Sequence, residues 1–161
     1  MVERITLDEF QARLRAQGVS TREHLACVCP VCGTVQSGAS LIRAGAGATF
    51  DDVMKYLGFS CVGRWTEAGP HKTGAPPGRG CDWTLGGLLR LHELEVDDGE
   101  GNARMSFAVA TPDQARALEA QLAPFRACRA CGCTDARACP GGCHWVEPDL
   151  CSACQAKGTA S

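Results

Sequence analysis

No apolar run in this chain approaches the roughly 20 residues that a membrane-spanning helix needs. The opening Met-Val-Glu-Arg-Ile-Thr-Leu-Asp-Glu also lacks the basic start and apolar core of a secretory signal, so a reducing cytoplasm is the expected setting. Catalytic signatures are missing too. There is no HExxH, no GxSxG, and no HxE paired with PCxxC. Gly45-Ala-Gly47 lacks the GxxxxGK[ST] of a phosphate loop and reads as a turn or flexible loop. Positive charge is not in surplus, since 16 Lys and Arg face 18 Asp and Glu. That net charge of -2 argues against a surface wholly attractive to nucleic acid, while a local basic face stays open.

What the chain has instead is cysteine, 12 in 161 residues. A secreted protein would use these as a disulfide framework; without an export signal, CxxC pairs point to reduced thiolates on metal. Seven of them fall between Cys128 and Cys154: 128, 131, 133, 139, 143, 151 and 154. The paired Cys128-Arg-Ala-Cys131 and Cys151-Ser-Ala-Cys154 can supply a tetrahedral four-sulfur site. Seven sulfurs exceed one such site. Two separate zincs using His144 as an eighth ligand, a two-metal cluster with bridging thiolates, or an iron–sulfur cluster would each use them. Zinc is the first choice, because the spacing fits no ferredoxin run.

A first set is expected upstream. Cys29-Pro-Val-Cys32-Gly33 has a proline to preset the turn and a glycine to curl the backbone around an ion. Cys61 and Cys81 complete four ligands, with Cys27 read as a buried small hydrophobe or spare thiol, and with His71 or Cys27 as the candidates to replace a member. Each four-thiolate zinc site would carry a charge of about -2.

Between these lie predicted elements. Thr6 and Glu9 form a capping box with an Ile5–Phe10 staple, opening a helix with Leu7, Phe10 and Leu14 on one face, ended by Gly18. Ser20 and Glu23 repeat the cap for a short turn to about Leu25. Ser37 to Ala48 reads as small and glycine-rich, anchored by Leu41 and Ile42. Thr49 caps a helix carrying Asp52, Val53, Tyr56 and Leu57 and ended by Gly58. Phe59-Ser-Cys61 reads as a strand delivering a thiolate, and Glu67–Gly80 as a loop. After a break at Gly86 and Gly87, a strand or short helix enters Val96, Asp97–Asn102 forms a hairpin loop, and Met105, Phe107 and Val109 alternate as the return strand. Thr111-Pro112-Asp-Gln114 opens a helix with Ala115, Leu118 and Leu122 on one face, stopped by Pro124.

The C-terminal pattern resembles a short module of uncharacterised phage and prophage proteins, CxxCGCT then ACxGGCxW then DLCSxC. Here it is Cys128, Cys131-Gly132-Cys133-Thr134, then Ala138-Cys139 with Gly141-Gly142-Cys143 and Trp145, then Asp149-Leu150-Cys151-Ser152 and Cys154. The likeness covers about residues 126 to 156. It implies that the seven cysteines are the functional residues and that His144 is not a fixed member, which favours an all-sulfur site.

The expected fold is a small α+β, metal-stabilised protein: a zinc-knuckle-like unit over 1–96, a hairpin return strand and helix over 97–124, and a cysteine-rich module over 125–161. Phe125, Trp145, Val146 and Leu150 would seal that module against Leu118 and Leu122, with Trp145 covering the sulfurs. The first functional reading is a non-enzymatic metal-binding phage or prophage accessory protein in the cytoplasm of a bacterial host, holding two or three Zn2+ and binding another protein. Nucleic-acid binding through Arg64, Lys72, Arg79, Arg126, Arg129 and Arg137 is the second, opposed by Glu93, Glu95, Asp97, Asp98 and Glu100. An iron–sulfur redox or enzymatic protein is the third.

Overall fold

The computed structural model describes residues 2–76, 78–86, 92–122, 127–134 and 138–158. Two small sheets in it share one stretch of chain. The first joins β1 (Glu3–Thr6), β4 (Leu94–Asp97) and β5 (Ala103–Ser106), with β4 in the middle. β1 runs parallel to β4 with Ile5 opposite Val96, and β5 returns antiparallel with Leu94 opposite Ser106. Period-two alternation buries Ile5, Leu94 and Val96 on one face, where Phe10 and Val109 pack on them. The β4–β5 loop is the expected one. The Asp98 carboxylate accepts from the Asn102 amide and from the backbone N–H groups of Glu100 and Asn102, which hold its pKa below the usual value.

The second sheet is antiparallel, with β2 (Ala26–Val28) between β3 (Val35–Ser37) and β6 (Ala108–Val109). The single return strand expected over Met105–Val109 is therefore two. The chain changes sheet at Phe107, whose ring is fully buried and whose N–H donates to the Gly58 carbonyl at 2.8 Å. The expected boundary between residues 96 and 97 falls inside β4. Gln17, also fully buried, ties the second sheet together. Its Nε2 donates to the carbonyls of Ala26 and Ala110, and its Oε1 accepts from the Ala26 N–H.

The helices surround these sheets. α1 (Leu7–Arg15) starts at Thr6, whose Oγ1 accepts from the Glu9 N–H at 3.1 Å. The Glu9 side chain pairs with Arg13 instead of closing the box, and no residue of α1 is buried, so its expected apolar face amounts to half-buried Phe10 and Leu14, with Leu7 exposed. The Ser20 cap is not formed. Ser20 donates to Glu119, and the turn Arg22–His24 starts from Thr21 without a side-chain cap. α2 (Gly38–Arg43) forms within the small, glycine-rich stretch, where no helix was expected. Ser37 and Ser40 cap it reciprocally, and Leu41 and Ile42 are buried. α3 (Phe50–Leu57) has the Thr49–Asp52 box and buries Val53 and Leu57. α4 (Pro112–Leu122) has the Thr111–Gln114 box, with Ala115 packed on Ala26 and Ala110. The largest core gathers Leu41, Ile42, Val53, Leu57, Leu85 and Phe107 around Cys27, Cys29, Cys61 and Cys81.

The C-terminal part contains β7 (Trp145–Glu147), β8 (Leu150–Cys151) and α5 (Ser152–Gly158). Among the described residues, the seal expected on α4 is not seen: Trp145 and Leu150 pack on the module's own cysteines, and Leu118 packs with Ala26, Ala110 and Ala115. Val146 is exposed, while Phe125 lies outside the described residues. The module instead meets the start of α3, where a Cβ on Gly132 would lie 2.8 Å from Thr49 Cγ2. Among the described residues, no helix is long and apolar enough to cross a membrane.

Candidate metal centres

The first centre is built on the turn that leaves β2. The Cys29 N–H donates to the Thr34 carbonyl and the Gly33 N–H returns to the Cys29 carbonyl, both at 2.9 Å. Gly33 has φ +70°, a left-handed conformation that favours glycine. The loop therefore folds over its own amides and presents Cys29 and Cys32 together. Thr34 was not singled out in the sequence, yet it joins this turn to the loop before Cys81. Its Oγ1 accepts from the N–H groups of Gly78 and Gly80 and from the Cys32 thiol at 3.1 Å.

Cys61 arrives after α3. The expected strand there is a single bridge between Ser60 and Thr84, with the Cys61 N–H donating to Trp83. Its hidden support is Gln36, fully buried on β3. Gln36 Nε2 donates to the carbonyls of Leu57 and Ser60, and Oε1 accepts from the Val62 N–H at 2.7 Å. Cys81 comes in across Gly63 and Gly80, where two backbones touch. A Cβ on Gly63 would lie 2.3 Å from Cys81 N. The Cys81 N–H donates to Cys61 Sγ at 3.2 Å.

Cys29, Cys32, Cys61 and Cys81 thus converge, all four sulfurs within 4.8 Å of one another. Cys29 to Cys81 is 3.8 Å and Cys32 to Cys61 is 3.7 Å. Metal–sulfur bonds of about 2.3 Å around a tetrahedral ion place the sulfurs about 3.8 Å apart. A four-iron cluster would set irons and sulfides between its cysteines and spread them, so a single ion fits this group. The Cys61 thiol is drawn down to about 5, first by its hydrogen bond with Cys29 and also by the N–H groups of Gly63 and Cys81. Cys29 is pushed up, first by that same bond to Cys61. Burial alone pushes Cys27 up to about 12; it stays a neutral thiol in β2 and belongs to no four-sulfur group.

The second centre repeats the first turn. Cys128 N–H donates to the Cys133 carbonyl and Gly132 N–H to the Cys128 carbonyl, both at 2.8 Å, with Gly132 at φ +76°. The flanking residues pair alike, Val28 with Val35 and Ala127 with Thr134. Cys139 and Cys143 sit on a second turn, closed by Gly142 N–H to Cys139 O and by Cys139 N–H to Cys143 Sγ at 3.3 Å. Cys151 ends β8, and its thiol is lowered to about 5, first by the Cys154 N–H.

Two groups result: Cys128, Cys131, Cys133 and Cys151, and Cys133, Cys139, Cys143 and Cys151. Cys154 lies beside Cys131, Cys151 and Cys128 but in neither group. His71 and His144 are exposed and outside every group, which leaves all-sulfur ligand sets.

The basic residues belong to none of these sulfur groups, although Arg129 sits within the Cys128–Cys131 turn. Arg64, Lys72, Arg79 and Arg129 are exposed, with Arg64 bound to Thr84 Oγ1 at 2.7 Å and Arg129 paired with Glu147 and Asp149. Arg126 and Arg137 lie outside the described residues. Trp65 packs against Tyr56, with ring centroids 4.8 Å apart.

Fold and site define a small α+β protein whose clustered cysteines are arranged to coordinate metal. The chain belongs to the VVA0879-like family, whose model matches residues 6–110. That span contains the whole first centre and ends before α4, so the C-terminal module lies beyond it. No curated protein and no solved structure matches the chain.

Proposed function

We propose that this is a non-enzymatic zinc protein, an accessory factor of a phage or prophage that acts in the bacterial cytoplasm by binding another protein. The observation that carries the reading is the closure of the sulfur groups. Each group already offers four sulfurs, the full complement of a tetrahedral ion, so no position stays open for water or substrate. Catalytic zinc sites keep such a position; structural ones do not. All-thiolate tetrahedra suit zinc, and the tight sulfur spacing disfavours a four-iron cluster. The phage assignment rests on the CxxCGCT…ACxGGCxW…DLCSxC motif at residues 126–156. Pairing of Arg129 with two carboxylates weighs against nucleic acid as the partner.

Elemental analysis and an absorption spectrum of protein purified without oxygen test the metal. Zinc and a colourless solution are expected; iron with matching sulfide and a brown colour would overturn the reading. Titration against mixed DNA and RNA fragments at low and moderate salt tests the partner. No salt-sensitive binding at micromolar protein is expected, and binding that weakens steeply with salt would replace the protein partner with a nucleic acid.

A further inference from the structure

The two knuckles of this chain are the same backbone turn, and they differ at the residue after the glycine. In the first, the residue after Cys-x-x-Cys-Gly is Thr34, whose Oγ1 lies 3.1 Å from Cys32 Sγ. In the second, that position is Cys133, held by the same backbone bonds and buried. A hydroxyl at the margin of a four-sulfur centre has thus become a fifth sulfur. Cys133 lies 3.8 Å from Cys143 on the neighbouring turn. Cys151, at the end of β8 and 1% exposed, reaches both sides as well, 3.8 Å from Cys131 and 3.8 Å from Cys139.

We infer that the C-terminal module holds two metal ions that share the thiolates of Cys133 and Cys151. Cys128 and Cys131 complete the first ion, and Cys139 and Cys143 complete the second. The inference rests on the metal reading above and adds the nuclearity and the division of ligands. Both groups contain Cys133 and Cys151, and each adds two cysteines of its own, so two tetrahedra built on these six sulfurs share an edge. Sharing also lowers the charge. Six thiolates and two dications leave about -2 for the pair, where two separate four-thiolate sites would carry about -2 each. Cys131 and Cys139, now 3.6 Å apart, belong to different ions in this scheme and separate as the ions enter. Cys154 is outside the shared pair and is dispensable for binding.

The test uses the full chain loaded with cadmium-113, whose nuclear spin couples to the β protons of each cysteine that binds it. Three cadmium resonances are expected, one from the first centre and two from the module. The β protons of Cys133 and Cys151 should each correlate with two of them, and those of the other ligands with one. A single resonance from the module, or two with no cysteine in common, would overturn the inference while leaving metal binding intact. A chain that takes up no cadmium would overturn the underlying metal reading as well. Cys154→Ser should keep all three resonances, and loss of one would contradict the ligand division. Cys133→Ser should lose module cadmium while the first-centre resonance stays in place, which shows that the variant is folded there.

Discussion

A methyl group on Gly63 has nowhere to go, because the Cys81 nitrogen would lie 2.3 Å away and the Cys81 carbonyl oxygen 2.7 Å away. Backbone cannot give way as a flexible side chain can. Gly63→Ala should therefore part the loops carrying Cys61 and Cys81 and remove one equivalent of metal, read by elemental analysis of the purified variant. Retained stoichiometry would show that the two loops close differently. Gln36→Leu would leave the Leu57 and Ser60 carbonyls and the Val62 N–H without their partner; each unsatisfied buried group costs about 1–3 kcal/mol, so loss of about 3 kcal/mol or more is expected in denaturant unfolding. Among the cysteines, Cys32→Ser should lose one equivalent of metal and Cys27→Ser none. The convergence of Cys29, Cys32, Cys61 and Cys81 was expected from the sequence, where CPxCG carries the turn chemistry that presents the first two. Gln36 and Thr34 were not. Gln36 bonds to residues 20 or more positions away, and Thr34 ties its turn to Gly78 and Gly80 more than 40 positions on, so nothing local distinguishes either from an exposed glutamine or threonine.

At the scale of elements, helix starts were the clearest signals. Thr6, Thr49 and Thr111 each accept from the N–H three residues on. α2 escaped because its box uses Ser40 where Glu or Gln is the usual partner, and because six residues starting Gly-Ala carry little periodicity. Ser37→Ala should cost about 1 kcal/mol and loosen Leu41 and Ile42, seen as faster amide exchange in α2; an unchanged exchange rate would mean that packing alone holds the helix. β1 was missed for another reason. Four residues pair in parallel with β4, about ninety positions later, and only that pairing makes Ile5 an inward residue. The return strand looked single because Met105, Phe107 and Val109 do alternate. The change of sheet at Phe107 depends on the Gly58 carbonyl, which alternation does not encode.

Across the whole molecule, each cluster of cysteines was readable, and so was the α+β class that surrounds them. The way seven sulfurs divide was not, because one cysteine can serve two ions only if chain segments meet in three dimensions. The first centre sits inside the main core, with Leu41, Val53, Leu57 and Phe107 around it, whereas the second is packed mainly by Trp145, Leu150 and its own cysteines. Metal removal should therefore loosen the C-terminal module first, since it has little apolar area of its own to fall back on. Limited proteolysis with mass measurement should show protection from Arg129 to Lys157 in the metal-loaded chain and rapid cutting there after chelation; rapid cutting with metal bound would show that ligation does not order the module. The claim beneath all of this is that sulfur alone surrounds the metal. X-ray absorption at the metal edge of the protein as purified measures that directly. Four sulfurs at about 2.3 Å and no nitrogen or oxygen in the first shell are expected. A shell containing histidine nitrogen or water oxygen would contradict it, because such a site would be open or differently built.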